Sequence, residues 1–257
     1  PEETPHSDLS LQYRFWHQLG GISSNLGYEV RWVLGAVNSN RWIEFLENSE
    51  VIELSEMPQP EGWQHNRIEA IPTVHTIPSC AWQVSSKNKK GKFNRSRAIE
   101  LGLSEDEKAK LAAGTDVDKD GQLLLSSDFR GEEIDSLSVI ISGDTAEMAP
   151  GLTSVEGCNL LIHEATFLDD LTQHAQDYLH STASGAARTA IACGAKHLVL
   201  THYGARIKQT GPSLDEAMSA LANSEIGLSA AWDGDRVLVE ESGEVSHLYW
   251  RDDGWTR

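Results

Sequence analysis

Between Leu137 and Leu200 short apolar runs alternate with helix-like stretches, and the apolar runs end in histidine or a carboxylate. Val139-Ile-Ile-Ser-Gly143-Asp144-Thr145 runs apolar, turns at glycine and delivers an acid. Leu160-Leu-Ile-His163-Glu164-Ala-Thr166-Phe167 ends in a histidine and an acid, and His180-Ser181-Thr182 follows after a short helix. Leu198-Val-Leu-Thr201-His202-Tyr203-Gly204-Ala205-Arg206 repeats the pattern, and upstream Ile71-Pro-Thr-Val-His75 brings another histidine to a strand end. Runs this short, rich in β-branched residues and bounded by turn residues, read as strands. Their alternation with helices argues for a layered α/β architecture.

The remaining elements are read in the same way. Strands are expected at 51–54, 68–74, 81–85, 122–125, 137–142, 159–163, 197–201, 236–240 and 245–250. Helices are expected at 40–47, 96–101, 105–112, near 168–178, at 182–193 and at 214–223. Ser181 or Thr182 suits the N-cap of the fifth, and Gly194 its stop. A chain of 257 residues, 39% hydrophobic, has enough apolar material for one compact domain over 1–257, with a polar arm or insertion at about 86–130. In that arm Asp116-Val-Asp118-Lys-Asp120-Gly121 imitates the first half of an EF-hand loop. Position twelve is Ser127 rather than the bidentate glutamate, so the segment reads as a polar turn.

Net charge and cysteine usage narrow the function classes. A charge of −18 argues against holding nucleic acid over the whole surface, since phosphate binding works through clustered Lys and Arg. One block runs the other way: Lys87, Lys89, Lys90, Lys92, Arg95 and Arg97 fall within eleven residues without an acid, which by composition alone is a solvated loop. No apolar stretch approaches the roughly 18–20 residues of a membrane span, and acids rather than an n-region follow Pro1, so an unexported soluble protein is expected. Cys80, Cys158 and Cys193 lie far apart without a C-x-x-C pair, which fits a reducing cytoplasm.

Taken singly, His75 or His202 is a strand-end histidine, Asp144 a turn residue, and His163-Glu164 a satisfied pair closing a strand. As an ordered set they are what a metal hydrolase needs: neutral imidazoles and a carboxylate hold Zn²⁺-class ions, and a bound water becomes a nucleophile near neutral pH.

Gly143-Asp144-Thr145, Asn159-Leu-Leu-Ile-His163-Glu164-Ala-Thr166-Phe167, His180-Ser181-Thr182 and Leu200-Thr201-His202-Tyr-Gly-Ala-Arg206 together resemble consecutive motifs of the ribonuclease Z family. Val74-His75 with Ala81-Trp82-Gln83-Val84 resembles that family's third histidine motif, and Gly91-Lys92-Phe93-Asn94 with Ala98-Ile-Glu-Leu-Gly102 the start of its substrate arm. The resemblance covers about residues 66–210 and, more loosely, Ala231-Trp-Asp233-Gly234 onward. It implies a metallo-β-lactamase-like four-layer αββα sandwich, a homodimer, and an endonuclease that trims precursor tRNA 3′ ends with Zn²⁺, Mn²⁺ or Mg²⁺.

Position by position, the resemblance implies that His75 and His202 ligate different metals and Asp144 bridges both. His180 would protonate the leaving 3′ oxygen with Glu164 orienting it, and Lys89, Lys90, Lys92, Arg95 and Arg206 would hold substrate. The family's H-x-H-x-D-H loop has only a trace here, Thr4-Pro-His6-Ser-Asp8-Leu9, which offers His6 as a ligand and Asp8 as a carboxylate acting on water. Either the loop and the first strands precede Pro1, the expectation adopted, or the chain is a diverged relative. Ser104-Glu105-Asp106-Glu107 also stands where the family has a Gly-Pro turn. A hydrolase of small phosphodiesters, sulfate esters or lactones, or a non-catalytic RNA- or partner-binding relative, remain the alternatives.

Overall fold

A computed structural model of the chain describes residues 31–45, 51–88, 90–132, 135–251 and 254–256. In chain order the elements are β1 (Trp32–Ala36), β2 (Arg41–Phe45), β3 (Val51–Leu54), β4 (Asn66–Pro72), β5 (Cys80–Ser86), α1 (Arg95–Glu100), α2 (Glu105–Ala113), β6 (Val117–Lys119), β7 (Gln122–Leu124) and β8 (Ser138–Ile141). There follow α3 (Pro150–Thr153), β9 (Leu160–Glu164), α4 (Thr172–Tyr178), α5 (Ala183–Ala192), β10 (His197–Thr201), α6 (Gly211–Ala220), β11 (Gly227–Ala230), β12 (Arg236–Val239), β13 (Val245–Arg251) and β14 (Gly254–Thr256). The expected α/β class holds. No helix among the described residues is long and apolar enough to cross a membrane. Two compact units form, one from residues up to Ser85 and from Ser138 onward, the other from Ser86–Leu137.

The larger unit is built on a six-stranded sheet of order β11-β10-β9-β8-β5-β4. β8, β9, β10 and β11 run parallel, and β5 runs antiparallel to β8 with Trp82 opposite Ile141. The start of β5 therefore lies at the same edge as the ends of β8, β9 and β10, which gathers the residues after those strands at one rim of the sheet. Parallel strands covered by helices read as continuous apolar runs, and Ile140, Leu160, Leu161, Leu198, Val199 and Leu200 are all buried.

α5 packs on β9 and β10 and against α3 and α6. Its buried face is almost entirely small, Ala183, Ala186, Ala187 and Ala190, so the backbone comes close to the sheet. Thr182 caps it, the side-chain oxygen accepting from the Gly185 amide at 3.0 Å. α6 begins at Gly211, ahead of the expected Leu214, because Pro212 suits the first turn, where its missing N–H is not needed.

Within the helix expected at 40–47, Arg41–Phe45 form a strand. Asn40 adopts a left-handed conformation (φ 49°) and turns the chain from β1 into β2 instead of capping a helix, and β2 pairs antiparallel with both β1 and β3. Trp-Ile-Glu-Phe is rich in residues that favour a pleated surface, and a partner on each side decided the outcome. β1, β11 and β14 were not legible in the sequence: all three are short and lack a clear alternation.

The smaller unit has a core of its own, Ala98, Leu103, Leu111, Val117 and Phe129. Ser104 and Glu107 form a reciprocal capping box at the start of α2, which gives Ser-Glu-Asp-Glu a local purpose. The EF-hand imitation is a β6–β7 hairpin, with Lys119 opposite Gln122 and positive φ at both Asp120 and Gly121, the geometry an Asp-Gly two-residue turn prefers. Asp118 and Asp116 accept from the amides of Gly121 and Ser126, so these acids stabilise the turn.

One buried histidine sets a pH response. His163 is fully buried; its Nδ1 donates to the Glu164 carbonyl at 2.8 Å and its Nε2 has no partner among the described residues. Burial holds the imidazole below the ordinary histidine value, against the smaller opposing pull of that carbonyl. The unfolded chain therefore takes up a proton near pH 6.5 that the folded chain refuses, so stability is complete above that pH and falls as pH drops below it. Thermal unfolding between pH 8 and 5.5 is expected to show a steeper decline for the native chain than for His163→Gln; equal slopes would exclude the effect.

Candidate metal centre

Five segments bring polar side chains to the rim at the ends of β8, β9 and β10. After β8, Gly143 turns the chain with φ +59°, and a Cβ there would meet the Cys80 carbonyl at 3.2 Å, so glycine is what lets Asp144 follow so abruptly. Glu164 is the last residue of β9, His180 follows α4, and His202 follows β10 at φ 54°, uncommon for a residue with a side chain. His75 comes from the β4–β5 connection, where the Val74 amide donates to Thr145 Oγ1 at 3.2 Å and the Ser79 hydroxyl to the Asp144 carbonyl at 2.9 Å.

Glu164 is the hub. Its side chain is 1% exposed. Oε1 accepts from the Thr145 amide at 2.7 Å and faces His180 Nδ1 at 2.8 Å; Oε2 accepts from the Ser181 amide at 3.2 Å and from the Thr166 hydroxyl. Thr166 Oγ1 lies 2.9 Å from His202 Nδ1. Because that hydroxyl proton goes to Glu164, the oxygen accepts from His202, and the hydrogen bonds run in one direction from imidazole to hydroxyl to carboxylate. His75 Nδ1 faces the Leu179 carbonyl at 3.0 Å, a partner that only accepts.

The consequence is the same for all three histidines. Each commits Nδ1–H to an oxygen, which leaves the Nε2 lone pair as the free donor, the arrangement that fixes tautomer and ring direction in metal-ligating imidazoles. Ligand atoms of His75, Asp144 and His180 lie within 4.8 Å of one another, and those of Glu164, His180 and His202 do likewise. His202 Nε2 is 3.5 Å from Asp144 Oδ1, and the His180 ring lies 4.7 Å from His75 and 5.8 Å from His202. A set of imidazole nitrogens and one half-exposed carboxylate, each with its orientation fixed from behind, fits a Zn²⁺-class ion.

Of the residues expected from sequence, His75, Asp144, Glu164, His180 and His202 come together here, while Arg206 is exposed on the turn after β10. His6, Asp8 and Lys89 lie outside the described residues. In the smaller unit the basic block is partly occupied in holding its own fold. Lys90 Nζ donates to the Ala113 carbonyl at 3.1 Å, Arg97 to the Asp128 carbonyl at 2.8 Å, and Arg95 pairs with Glu105 at 3.4 Å, whereas Lys92 is exposed. Sequence reasoning assigned no role in the site to Thr166 or Thr145, and gave Ser181 only as a candidate helix N-cap. A lone hydroxyl has no spacing signature, and Thr166 gains its role from the fold, which sets its hydroxyl between Glu164 and His202; Gly204 packs on its backbone, where a Cβ would meet the Thr166 carbonyl at 2.5 Å.

Ribonuclease Z of Methanosarcina mazei is 32% identical over 174 residues, which covers 67% of this chain and 57% of that protein. Ribonuclease Z of Gemmatimonas aurantiaca is 32% identical over 201 residues, covering 77% of this chain and 63% of that protein. The chain is a relative of ribonuclease Z. It spans between about half and two thirds of the length of the curated ribonuclease Z relatives it matches. Among solved structures, the metallo-β-lactamase fold protein YhfI of Bacillus subtilis is similar over 74% of this chain and 52% of its own, at TM-score 0.40 and 18% identity. The short form of human tRNase Z is similar over 74% of this chain and 44% of its own, at TM-score 0.36 and 21% identity. No family model matches the chain.

Proposed function

We propose that the protein is a metal-dependent endoribonuclease of the ribonuclease Z type, built on a four-layer metallo-β-lactamase-like sandwich, that releases 3′ trailers from precursor tRNA. The observation that carries this reading is the shared orientation of His75, His180 and His202, each with Nδ1 bonded to oxygen and Nε2 free beside Asp144. Zn²⁺, with Mn²⁺ or Mg²⁺ as substitutes, would be held by His75, Asp144 and His202, with His6 as a further ligand and Asp8 acting on the attacking water. A metal bound there supplies a water of lowered pKa and neutralises charge on the scissile phosphate.

The chain's own residues do the rest. Glu164 accepts from His180 Nδ1 and so holds the ring with Nε2 toward the cluster, from where His180 would pass a proton to the departing 3′ oxygen. Thr166 transmits the same carboxylate to His202. Lys89, Lys90, Lys92 and Arg95 on the smaller unit, with Arg206, would neutralise phosphates; because Lys90 and Arg95 already have partners, Lys92 is expected to carry more of the salt-sensitive binding. A cytoplasmic homodimer belongs to the same reading and is tested by light scattering of the purified protein.

The experiment is trailer release from a 3′-extended precursor tRNA with Zn²⁺ or Mn²⁺. His180→Ala is expected to slow release by about 10²–10⁴-fold, the usual contribution of a positioned acid, while bound metal stays unchanged. No cleavage by folded, metal-loaded protein would overturn the reading; loss of metal in His180→Ala would make His180 a ligand instead of the acid.

A further inference from the structure

Outside the histidine cluster a cleft of about 310 Å³ opens in the larger unit, lined among others by Lys208, Thr210, Trp232, Asp235, Tyr249 and Arg251. Its volume sits at the lower end of the roughly 300–1,000 Å³ typical of small-ligand sites. In a chain of net charge −18 its lining is locally inverted, with two cations to one acid.

That acid is turned inward. The Asp235 side chain is 2% exposed; its Oδ1 accepts from the Trp250 amide at 2.7 Å, and its Oδ2 accepts from the Trp232 amide at 2.9 Å and faces His247 Nε2 at 3.1 Å. His247 passes the contact on to Ser229 at 2.8 Å, and Ser229 to His197 at 3.0 Å. Asp235 thus acts as a clamp: it closes the turn that presents Trp232 and ties it to β11 and β13.

What faces the opening is aromatic and positive. Trp232 is 53% exposed, an uncommon state for so large an apolar surface. The Tyr249 ring is stacked on His247, centroids 4.2 Å apart, so one face is already backed. The Arg251 guanidinium lies over the Tyr249 ring, 5.4 Å from its centroid, and donates to the Trp250 carbonyl, so Tyr249 backs the cation, while Lys208 is exposed with no ion pair among the described residues. An exposed flat ring in the same lining as two cations matches a ligand with a planar heteroaromatic group and a phosphate, because stacking and phosphate pairing act on opposite ends of it.

We propose that this cleft binds one nucleoside monophosphate group, its base against Trp232 and its phosphate between Lys208 and Arg251, whether as a free nucleotide or as one unit of a single strand. The site uses no residue of the metal centre and does not rest on the tRNA reading.

Calorimetric titration of the 257-residue chain in EDTA, where no cleavage runs, tests it with UMP, uridine, inorganic phosphate and a five-residue oligouridylate. UMP is expected to bind at least tenfold more tightly than uridine or phosphate. Tighter binding of the oligonucleotide assigns the strand as the source, and equal or weaker binding the free nucleotide; either supports the site. Trp232→Ala is expected to weaken UMP about fivefold or more. Lys208→Glu with Arg251→Glu is expected to abolish binding, and Lys208→Ala alone to flatten its salt dependence. UMP no tighter than its parts, or native affinity in these variants with unchanged circular dichroism, would overturn the proposal. Because the assay needs neither metal nor cleavage, its failure is distinct from failure of trailer release.

Discussion

Replacing Glu164 with alanine is expected to destabilise the larger unit by about 3–5 kcal/mol, the range for removing one member of a buried charged network. The loss is large because the carboxylate is almost completely buried and serves several donors at once. The amides of Thr145 and Ser181, the Thr166 hydroxyl and His180 Nδ1 all point at it. Each buried donor left without a partner costs about 1–3 kcal/mol, offset where water enters the vacated space. For a chain of this size the midpoint of thermal unfolding should fall by on the order of 10 °C. Glu164→Gln keeps one acceptor oxygen and the side-chain volume, so its loss should be smaller. A change below about 1 kcal/mol in Glu164→Ala would show that the hub is not structural.

Asp144→Ala is expected to do the opposite: abolish metal binding and leave the fold intact. Its side chain is 40% exposed, and its side-chain contact is the 3.5 Å approach to His202 Nε2, so little of the fold depends on it. Removing a residue that merely orients a ligand weakens metal affinity about 10–100-fold, so removing the carboxylate placed among the ligands should exceed that. Zinc titration monitored by a competing chelator measures the affinity, and thermal unfolding without metal should match the native chain within about 0.5 kcal/mol. Unchanged zinc affinity in a folded Asp144→Ala would remove Asp144 from the centre. Together the two substitutions separate a carboxylate that holds the fold from one that faces the ligand, although both follow apolar strands in the sequence.

Much of this arrangement was legible in the residues. The strands at 51–54 and 197–201, and α1, α2 and α5, appear within about a residue of their expected positions, since their periodicity, caps and stops agree with what packing requires. The candidate ligands His75, Asp144, His180 and His202 were also legible, because a polar residue ending an apolar strand of an α/β sheet emerges at its rim. The strand at 41–45 was not. Its local sequence permits either state, and the deciding partners, β1 and β3, are set by pairing that no local pattern records.

The sequence by itself determined the layered α/β class, the order of strands that carry ligands, and the chemistry of the ligands, because these depend on side-chain type and on periodicity along the chain. Only the tertiary structure decided that Glu164 faces inward as the common acceptor, that Thr166 links it to His202, and that Lys90 and Arg95 are occupied within their own unit. Those assignments depend on which donors meet a given oxygen across sixteen, thirty-six or twenty-three residues of chain. Hydrogen bonds act over about 3 Å, so such meetings exist only once the sheet has brought its strand ends to one rim.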